Sequence, residues 1–175
     1  MQKKQNQIVQ FVVYSSNLLS MQAITFVNST SLKAFSSILV ILKFGLFFSI
    51  LYLGGLVPLN FFGLGIQLTG LILYVLAFAS FNKKYFSFMP LPKKGAYIIM
   101  HGPYSFLRHP MYLGMILMTL PLTYEYFNFK IASLQICFTA VIGILVYIEE
   151  YVFGNVDLNY KNYIKYTKMI LPLLF

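Results

Sequence analysis

The chain has 175 residues, of which 59% are hydrophobic and only 10% charged. This composition excludes an ordinary soluble domain and predicts a single membrane domain. The net charge of +9 would suit a nucleic-acid partner, but the basic residues fall in short loops beside apolar runs and do not line one amphipathic face. We interpret them as topology signals and contacts for anionic lipid, which argues against nucleic acid.

The N-terminal segment, residues 1–33, carries an apolar stretch from Ile8 to Val27 that is interrupted by polar residues. It lacks the clean apolar core and the cleavage site of a signal peptide. Three interpretations stay open, which are a weak membrane span, an interfacial helix and an extension upstream of a start at Met21.

The first strong candidate for a membrane span is Ala34 to Val57, whose 24 mostly apolar residues can cross a hydrocarbon core of about 30 Å. Lys43 lies inside it. An intramembrane lysine is a candidate functional residue, but one near the helix start can extend its ammonium to the headgroups. We expect the second behaviour.

Gly54-Gly55 and Pro58-Leu59-Asn60 predict a turn that leads into the second span, Phe61 to Phe81. Gly63, Gly65 and Gly70 are expected to allow close helix contact. The first two spans should therefore pack against each other as an antiparallel hairpin.

A polar connection, residues 82–111, follows, in which Pro90 and Pro92 prevent a continuous helix. Met111 to Phe127 is a shorter apolar run that contains Pro121, so we predict a tilted or kinked span.

The last long span, Ile131 to Val152, contains the single cysteine, Cys137, and ends near Glu149 and Glu150. One cysteine gives no disulfide framework, and the spacing of His101 and His109 is not that of a zinc site, so no metal is expected. The remaining segment, residues 153–175, is rich in tyrosine and lysine and predicts an interfacial tail.

The basic residues define the orientation. If Ala34 enters from the cytoplasm, the basic loop and the lysines of the tail share the cytoplasmic side, and the opposite side carries only Lys130. The positive-inside rule therefore predicts that a site in the basic loop faces the cytoplasm, at the plasma membrane of a prokaryote or the endoplasmic reticulum of a eukaryote.

Glu149 and Glu150 are two of only four acidic residues in the chain. A carboxylate at membrane depth needs a partner, and the candidates are Arg108, the only arginine, and a cationic ligand. The pair could instead simply mark the water interface. Since neighbouring helical residues point about 100° apart, we expect at most one of the two to face the helix bundle.

Arg108 belongs to the stretch Gly102 to Gly114, which reads Gly-Pro-Tyr-Ser-Phe-Leu-Arg-His-Pro-Met-Tyr-Leu-Gly. Gly102-Pro103 predicts a tight turn, and Pro110 suits the first position of a helix with His109 at its N-cap. An arginine beside the free N–H groups of a helix start predicts a site for an anion.

The pattern G-P-Y-x-x-x-R-H-P-x-Y-x-G has eight fixed positions, all present here. It resembles the isoprenylcysteine carboxyl methyltransferase and phospholipid methyltransferase superfamily of integral-membrane enzymes, which use S-adenosylmethionine. A second feature of that superfamily is a Glu-Glu pair followed by a tyrosine-rich tail and a proline, which correspond to Glu149, Glu150, Tyr160, Tyr163, Tyr166 and Pro172.

The resemblance implies an all-α polytopic transmembrane helix bundle. We expect four spans, with a fifth left open at the N-terminus, and a methyltransferase domain over residues 34–175. From the charges of the motif and of the glutamate pair, we expect the catalytic residues to be Arg108, Glu149 and Glu150. The implied contacts of S-adenosylmethionine are Ala96, Tyr97, Ile98, Ile99, Tyr104, His109, Pro110, Met111, Tyr112, Glu149 and Glu150. The tail tyrosines are expected to form an interfacial belt rather than to contact a ligand.

The implied acceptor is lipophilic, and a prenylated cysteine carboxylate is the leading candidate. A phospholipid or other lipid amine is the alternative, with His101 or a glutamate as proton acceptor. Two other classes remain open, a membrane reductase that uses NADPH and a non-enzymatic membrane scaffold.

Overall fold

The computed structural model describes residues 30–81, 99–156 and 158–170. These residues form five α-helices and one short 3-10 helix, with no strand among them, which confirms the all-α class. The elements are α1 (Thr30–Leu53), α2 (Phe61–Ala79), the 3-10 helix (Gly102–Ser105), α3 (Pro110–Glu125), α4 (Phe129–Val156) and α5 (Leu158–Tyr166).

Three of these helices have the length and apolarity needed to cross a membrane, namely Thr30–Leu53, Phe61–Ala79 and Phe129–Gly154. The predicted span at Met111 to Phe127 appears as α3, which has 16 residues and is about 24 Å long at 1.5 Å per residue. A helix of this length is shorter than a hydrocarbon core of about 30 Å. Its length therefore does not identify α3 as a membrane span. The predicted fifth span at the N-terminus lies outside the described residues.

The tightest helix contact joins α2 to α3, which run antiparallel. A Cβ atom added at Gly70 would lie 2.7 Å from the carbonyl oxygen of Gly114, and one added at Gly63 would lie 3.3 Å from Cβ of Pro121. Only glycine therefore permits this approach at Gly70. The expectation for Gly65 is wrong, because a Cβ there would meet nothing within 4 Å.

The expected hairpin of the first two spans is also not observed among the described residues. The first helix, α1, packs mainly on α4 and to a lesser extent on α3, whereas α2 packs on α3. Leu39 and Ile50 of α1 share the main core with Phe138 and Leu145 of α4. The small residues of α2 explain the pairing, since they fit the matching small residue of α3, Gly114, better than the bulky residues of α1.

The turns between α1 and α2 and between α3 and α4 meet at one end of the bundle. There the backbone N–H of Leu59 donates to both carboxylate oxygens of Glu125, each at 2.9 Å. Asn60 caps α2 through Gly63, and Asn128 accepts from the N–H of Ile131 at 3.0 Å. The opposite end therefore collects the starts of α1 and α3 and the ends of α2 and α4, and the candidate site lies there.

Candidate active site

The site begins at the 3-10 helix Gly102–Ser105, which confirms the predicted turn. Gly102 has a positive φ of 62°, which favours glycine. A Cβ there would also lie 2.7 Å from the Ser80 hydroxyl at the end of α2. The turn directs Tyr104 inward, where its side chain is buried.

The backbone after this turn is held by the tail of the chain. The N–H of Arg108 donates to the carbonyl of Lys168 at 2.8 Å, and the N–H of His109 donates to that of Met169 at 3.1 Å. In return the N–H of Lys168 donates to the carbonyl of Phe106 at 2.9 Å. This short parallel pairing fixes the direction in which the arginine and histidine side chains leave the backbone. The sequence pattern gave no signal for it.

Arg108 forms an ion pair with Glu150, as the sequence predicted. Its Nε lies 2.8 Å from Oε1 of Glu150, and the two side chains are 7% and 15% exposed. Its Nη1 donates to the carbonyl of Thr167 at 2.7 Å. Breaking these contacts would leave a buried charge unpaired. Arg108 therefore holds Glu150 and the backbone at Thr167 in fixed positions.

His109 is the N-cap residue of α3, with Pro110 at the first helical position, as predicted. The buried imidazole lies between the two glutamates, with Nδ1 3.2 Å from Oε2 of Glu149 and Nε2 2.8 Å from Oε1 of Glu150. The expectation that at most one glutamate faces the bundle is therefore wrong. The Cα–Cβ bonds of the two glutamates point in different directions. Both side chains are nevertheless long enough to reach opposite nitrogens of one ring.

The pKa of His109 follows from these contacts. Burial alone lowers the pKa, but the hydrogen bonds and charges of Glu149 and Glu150 outweigh burial, so the pKa of His109 is raised above its ordinary value. Both ring nitrogens face carboxylate oxygens, so these surroundings favour the doubly protonated form of the ring.

Two tyrosine hydroxyls complete the ring of donors around the carboxylates. Tyr112, one turn into α3, donates to Glu149 at 2.5 Å and stacks on His109 with ring centroids 5.9 Å apart. Tyr160, from α5, donates to Glu150 at 2.9 Å. Burial, followed by the charge of Glu150, raises the pKa of Tyr160, so its hydroxyl remains a donor.

The interfacial-belt expectation for the tail is wrong for two of its three tyrosines. Tyr160 and Tyr163 are buried, and the hydroxyl of Tyr163 donates to the carbonyl of Tyr104 at 2.6 Å. Tyr166 is 84% exposed, as a residue of a belt would be.

The remaining predicted cofactor residues fall into two groups. Ile99 and Tyr104 form a neighbouring apolar cluster with Ala77 of α2, against which Met111 packs, and Pro110 is buried beside His109. Ala96, Tyr97 and Ile98 lie outside the described residues. The structure therefore brings Arg108, His109, Tyr112, Glu149 and Glu150 into direct contact and sets the apolar cluster next to them.

The expectation that Lys43 reaches the headgroups is wrong. Its side chain is only 4% exposed, and its Nζ lies 4.5 Å from the ring centroid of Phe44 and 5.0 Å from that of Tyr112. The described part of the helix already includes Thr30. Lys43 packs among the helices of the bundle and does not extend to its surface.

The whole arrangement has the features of a binding site for a polar molecule at the end of a helix bundle. Two carboxylates, a buried arginine and a doubly engaged histidine face one another beside aromatic side chains. Such a site can bind positive charge and hydroxyl groups through the carboxylates, and aromatic faces can contact a cation.

Comparison with known proteins identifies one family. The model of the isoprenylcysteine carboxyl methyltransferase family matches residues 63–153, just over half of the chain and most of the region described above. No curated protein and no solved structure matches the chain.

Proposed function

The chain belongs to the isoprenylcysteine carboxyl methyltransferase family, and from this membership we propose that it transfers a methyl group from S-adenosylmethionine to the carboxylate of a prenylated cysteine. The observation that carries the proposal is the contact between the family motif and the glutamate pair. Arg108 and Glu150, 42 residues apart, approach to 2.8 Å and enclose His109.

The donor and acceptor groups of the site fit S-adenosylmethionine. This cofactor carries a carboxylate, an ammonium and a sulfonium, and when bound it supplies a methyl group activated by the positive sulfur. Glu149 is 18% exposed and contacts the Tyr112 hydroxyl and the His109 ring. Since a carboxylate has about four lone-pair sites, it retains capacity for an ammonium or a hydroxyl of a ligand.

Each residue then takes a role that its contacts support. Glu149 and Glu150 are the carboxylates that contact the cofactor, and Arg108 is a positioning residue, because its Nε and Nη1 are already engaged by Glu150 and Thr167. The other cofactor contacts that we propose, from the family resemblance, are Ala96, Tyr97, Ile98, Ile99, Tyr104, His109, Pro110, Met111 and Tyr112.

The state of His109 favours a carboxylate acceptor over an amine. A lipid amine must lose a proton before or during methylation. In the described site the two carboxylates raise the pKa of His109 and so favour its protonated form, which cannot accept a proton. A carboxylate is already ionised at neutral pH and needs no base. Methyl transfer to it depends mainly on positioning and on exclusion of water.

The bundle geometry supports four spans with the site facing the cytoplasm. Because α3 runs antiparallel to α2 and joins the site end to the turn at Glu125, we propose that it also crosses the membrane, although it is short. Among the described residues, Lys33, Arg108, Lys165 and Lys168 belong to the site end, and Lys130 follows the opposite turn. By the positive-inside rule, this distribution of charge favours a site on the cytoplasmic side of the membrane.

Ligand titration of the purified full-length chain tests the cofactor. S-adenosylmethionine should bind and NADPH should not, and Glu149→Gln or Glu150→Gln should weaken binding more than tenfold. Glu125→Gln is the matched control, since it removes the same charge at the opposite end, and should leave the affinity unchanged. Binding of NADPH alone would identify a reductase, and binding of neither a scaffold.

Transfer of a labelled methyl group tests the acceptor. N-acetyl-S-farnesylcysteine and a total lipid extract are offered side by side to the purified enzyme. Label should enter the farnesylcysteine as a base-labile ester. Label in the lipid extract alone would contradict the carboxylate acceptor and favour the lipid amine.

A further inference from the structure

Lys43 is a buried cation that the proposed cofactor contacts do not use. It lies in the middle of α1 with 4% of its surface exposed, inside a helix apolar enough to cross a membrane. Among the described residues no carboxylate oxygen lies within 4.0 Å of its Nζ, since the three ion pairs found there involve Arg108 and His109. Its ammonium lies over the rings of Phe44 and Tyr112.

The same face of α1 carries a second donor without an acceptor. The hydroxyl of Ser36 is fully buried and has no hydrogen-bond partner within the described part of the chain. Ser36 and Lys43 are seven residues apart, so they lie on one face of the helix, two turns from each other. Helical side chains lean toward the N-terminus, which directs both donors toward the site end of the bundle.

Tyr112 connects Lys43 to the carboxylates. The ammonium of Lys43 lies 5.0 Å from the centroid of the Tyr112 ring, and the hydroxyl of that ring donates to Glu149. The Tyr112 side chain therefore lies between Lys43 and Glu149, one of the proposed cofactor contacts. Lys43 is on the side of Tyr112 that faces α1.

Lys43 forms no ion pair within the described residues, and Glu149 acts on it only from beyond the Tyr112 ring. The cost of burying the ammonium is therefore only partly offset. A lysine in such a place is expected where a ligand supplies the anion. The ligand must be lipophilic to reach this depth, and it must carry acceptor oxygens and negative charge. An amine would be repelled by Lys43, whereas a carboxylate would be attracted to it.

We propose that Lys43 determines acceptor specificity by binding the carboxylate of the lipophilic acceptor as it lies beside Tyr112. The proposal rests on the proposed function, because it assigns the acceptor subsite of the same reaction. One carboxylate oxygen forms a bond to the methyl carbon while the carbon–sulfur bond breaks, its electron pair stays on sulfur, and no proton moves. Lys43 holds the carboxylate in place without a covalent step.

Binding of N-acetyl-S-farnesylcysteine and of its methyl ester to the full-length protein tests the assignment. The wild type should bind the acid at least tenfold more tightly than the ester. Lys43→Met should lose this preference, and Lys43→Arg should retain most of it. Lys33→Met is the matched control, because it removes an exposed lysine from the same helix, and it should keep the preference.

The thermal midpoint and the cofactor affinity of each variant separate this role from a structural one. Lys43→Met should unfold at the same temperature as the wild type or higher and bind S-adenosylmethionine equally well. An unchanged preference for the acid in Lys43→Met would overturn the inference, whatever its stability. If the wild type shows the preference but transfers no methyl group, the proposed function fails and the carboxylate subsite stands.

Discussion

At the scale of single residues, the site depends on the number of hydrogen-bond donors that contact Glu150. One oxygen of its carboxylate accepts from the Arg108 guanidinium, the His109 ring and the Tyr160 hydroxyl. Three donors on one oxygen leave the glutamate little freedom to move. The residue thereby joins three separate segments of the chain, namely the motif loop, the end of α4 and α5.

Replacing Glu150 with glutamine should destabilise the folded protein as well as weaken cofactor binding. Arg108, 7% exposed, would lose its charged partner, and we expect a loss of about 3 kcal/mol in the free energy of unfolding. Unfolding titrations in mixed micelles measure this, with Glu149→Gln for comparison. Equal stability of Glu150→Gln and the wild type would mean that the ion pair contributes nothing to the fold.

His109 gives the stability a predictable pH dependence. Its pKa is raised in the folded protein by the two glutamates, so its stabilising contribution is complete below the unfolded pKa of about 6.5. The contribution is lost as the pH rises through the folded pKa. The thermal midpoint of the wild type should therefore fall over that window.

His109→Gln should remove this part of the pH dependence, and His101→Gln, at an exposed position, should leave it intact. Thermal unfolding recorded at several pH values between 6 and 9 makes the comparison. Identical slopes for all three proteins would show that another group titrates in this range.

The sequence predicted the meeting of Arg108 with a glutamate, because a membrane-depth carboxylate needs a cation and the chain has one arginine. It did not predict that both glutamates would reach His109. Neighbouring Cα positions fix the direction of a helix face, but not the reach of a side chain with three rotatable bonds. The burial of Lys43 was missed because it depends on the packing of α1 against α3 and α4, which the apolar length of a span does not predict.

At the scale of helices, the contact of α2 with α3 is the most demanding in the fold. Gly70 and Gly114 face each other so closely that an added Cβ on Gly70 would lie within 3 Å of three atoms, two of them backbone. Backbone atoms cannot rotate away as a side chain can. The helices themselves would have to separate.

Gly70→Ala should therefore lower the free energy of unfolding by about 2 kcal/mol. Gly65→Ala in the same helix is the control, because a Cβ there meets nothing within 4 Å. It should be neutral or slightly stabilising, since alanine has the higher helix propensity. Equal tolerance at both positions would contradict the close approach of the two helices.

The length of the apolar runs predicted α1, α2 and α4, and the Gly-Pro and His-Pro pairs predicted the start of α3. The sequence did not predict which helices pack against each other. The glycines of α2 predicted a close contact without naming the partner, and sequence order favoured α1. The matching small residue, Gly114, is on α3, and this complementarity is visible only once the two surfaces are set against each other.

At the scale of the whole molecule, the two ends of the bundle differ in structure and in charge. One end holds the turns stabilised by Glu125 and Asn128, and the other holds the charged site. We therefore expect a fixed orientation in the membrane, with the site in the cytoplasm.

Cysteine labelling of intact spheroplasts measures that orientation. In a Cys137→Ala background, a membrane-impermeant maleimide should react with Lys130→Cys and should not react with Tyr166→Cys until the membrane is opened. Tyr166 is 84% exposed, so its protection would come from the membrane barrier and not from burial. Labelling of Tyr166→Cys from outside would place the site on the external side.

The pairing of the motif with residues 167–169 also has a consequence for biosynthesis. Among the described residues, the helices α1 to α4 precede in the chain the carbonyls that hold Arg108 and His109. Until those carbonyls are synthesised, the arginine lacks part of its support. We therefore expect the proposed binding site to be complete only when this late segment folds back on a loop made some sixty residues earlier.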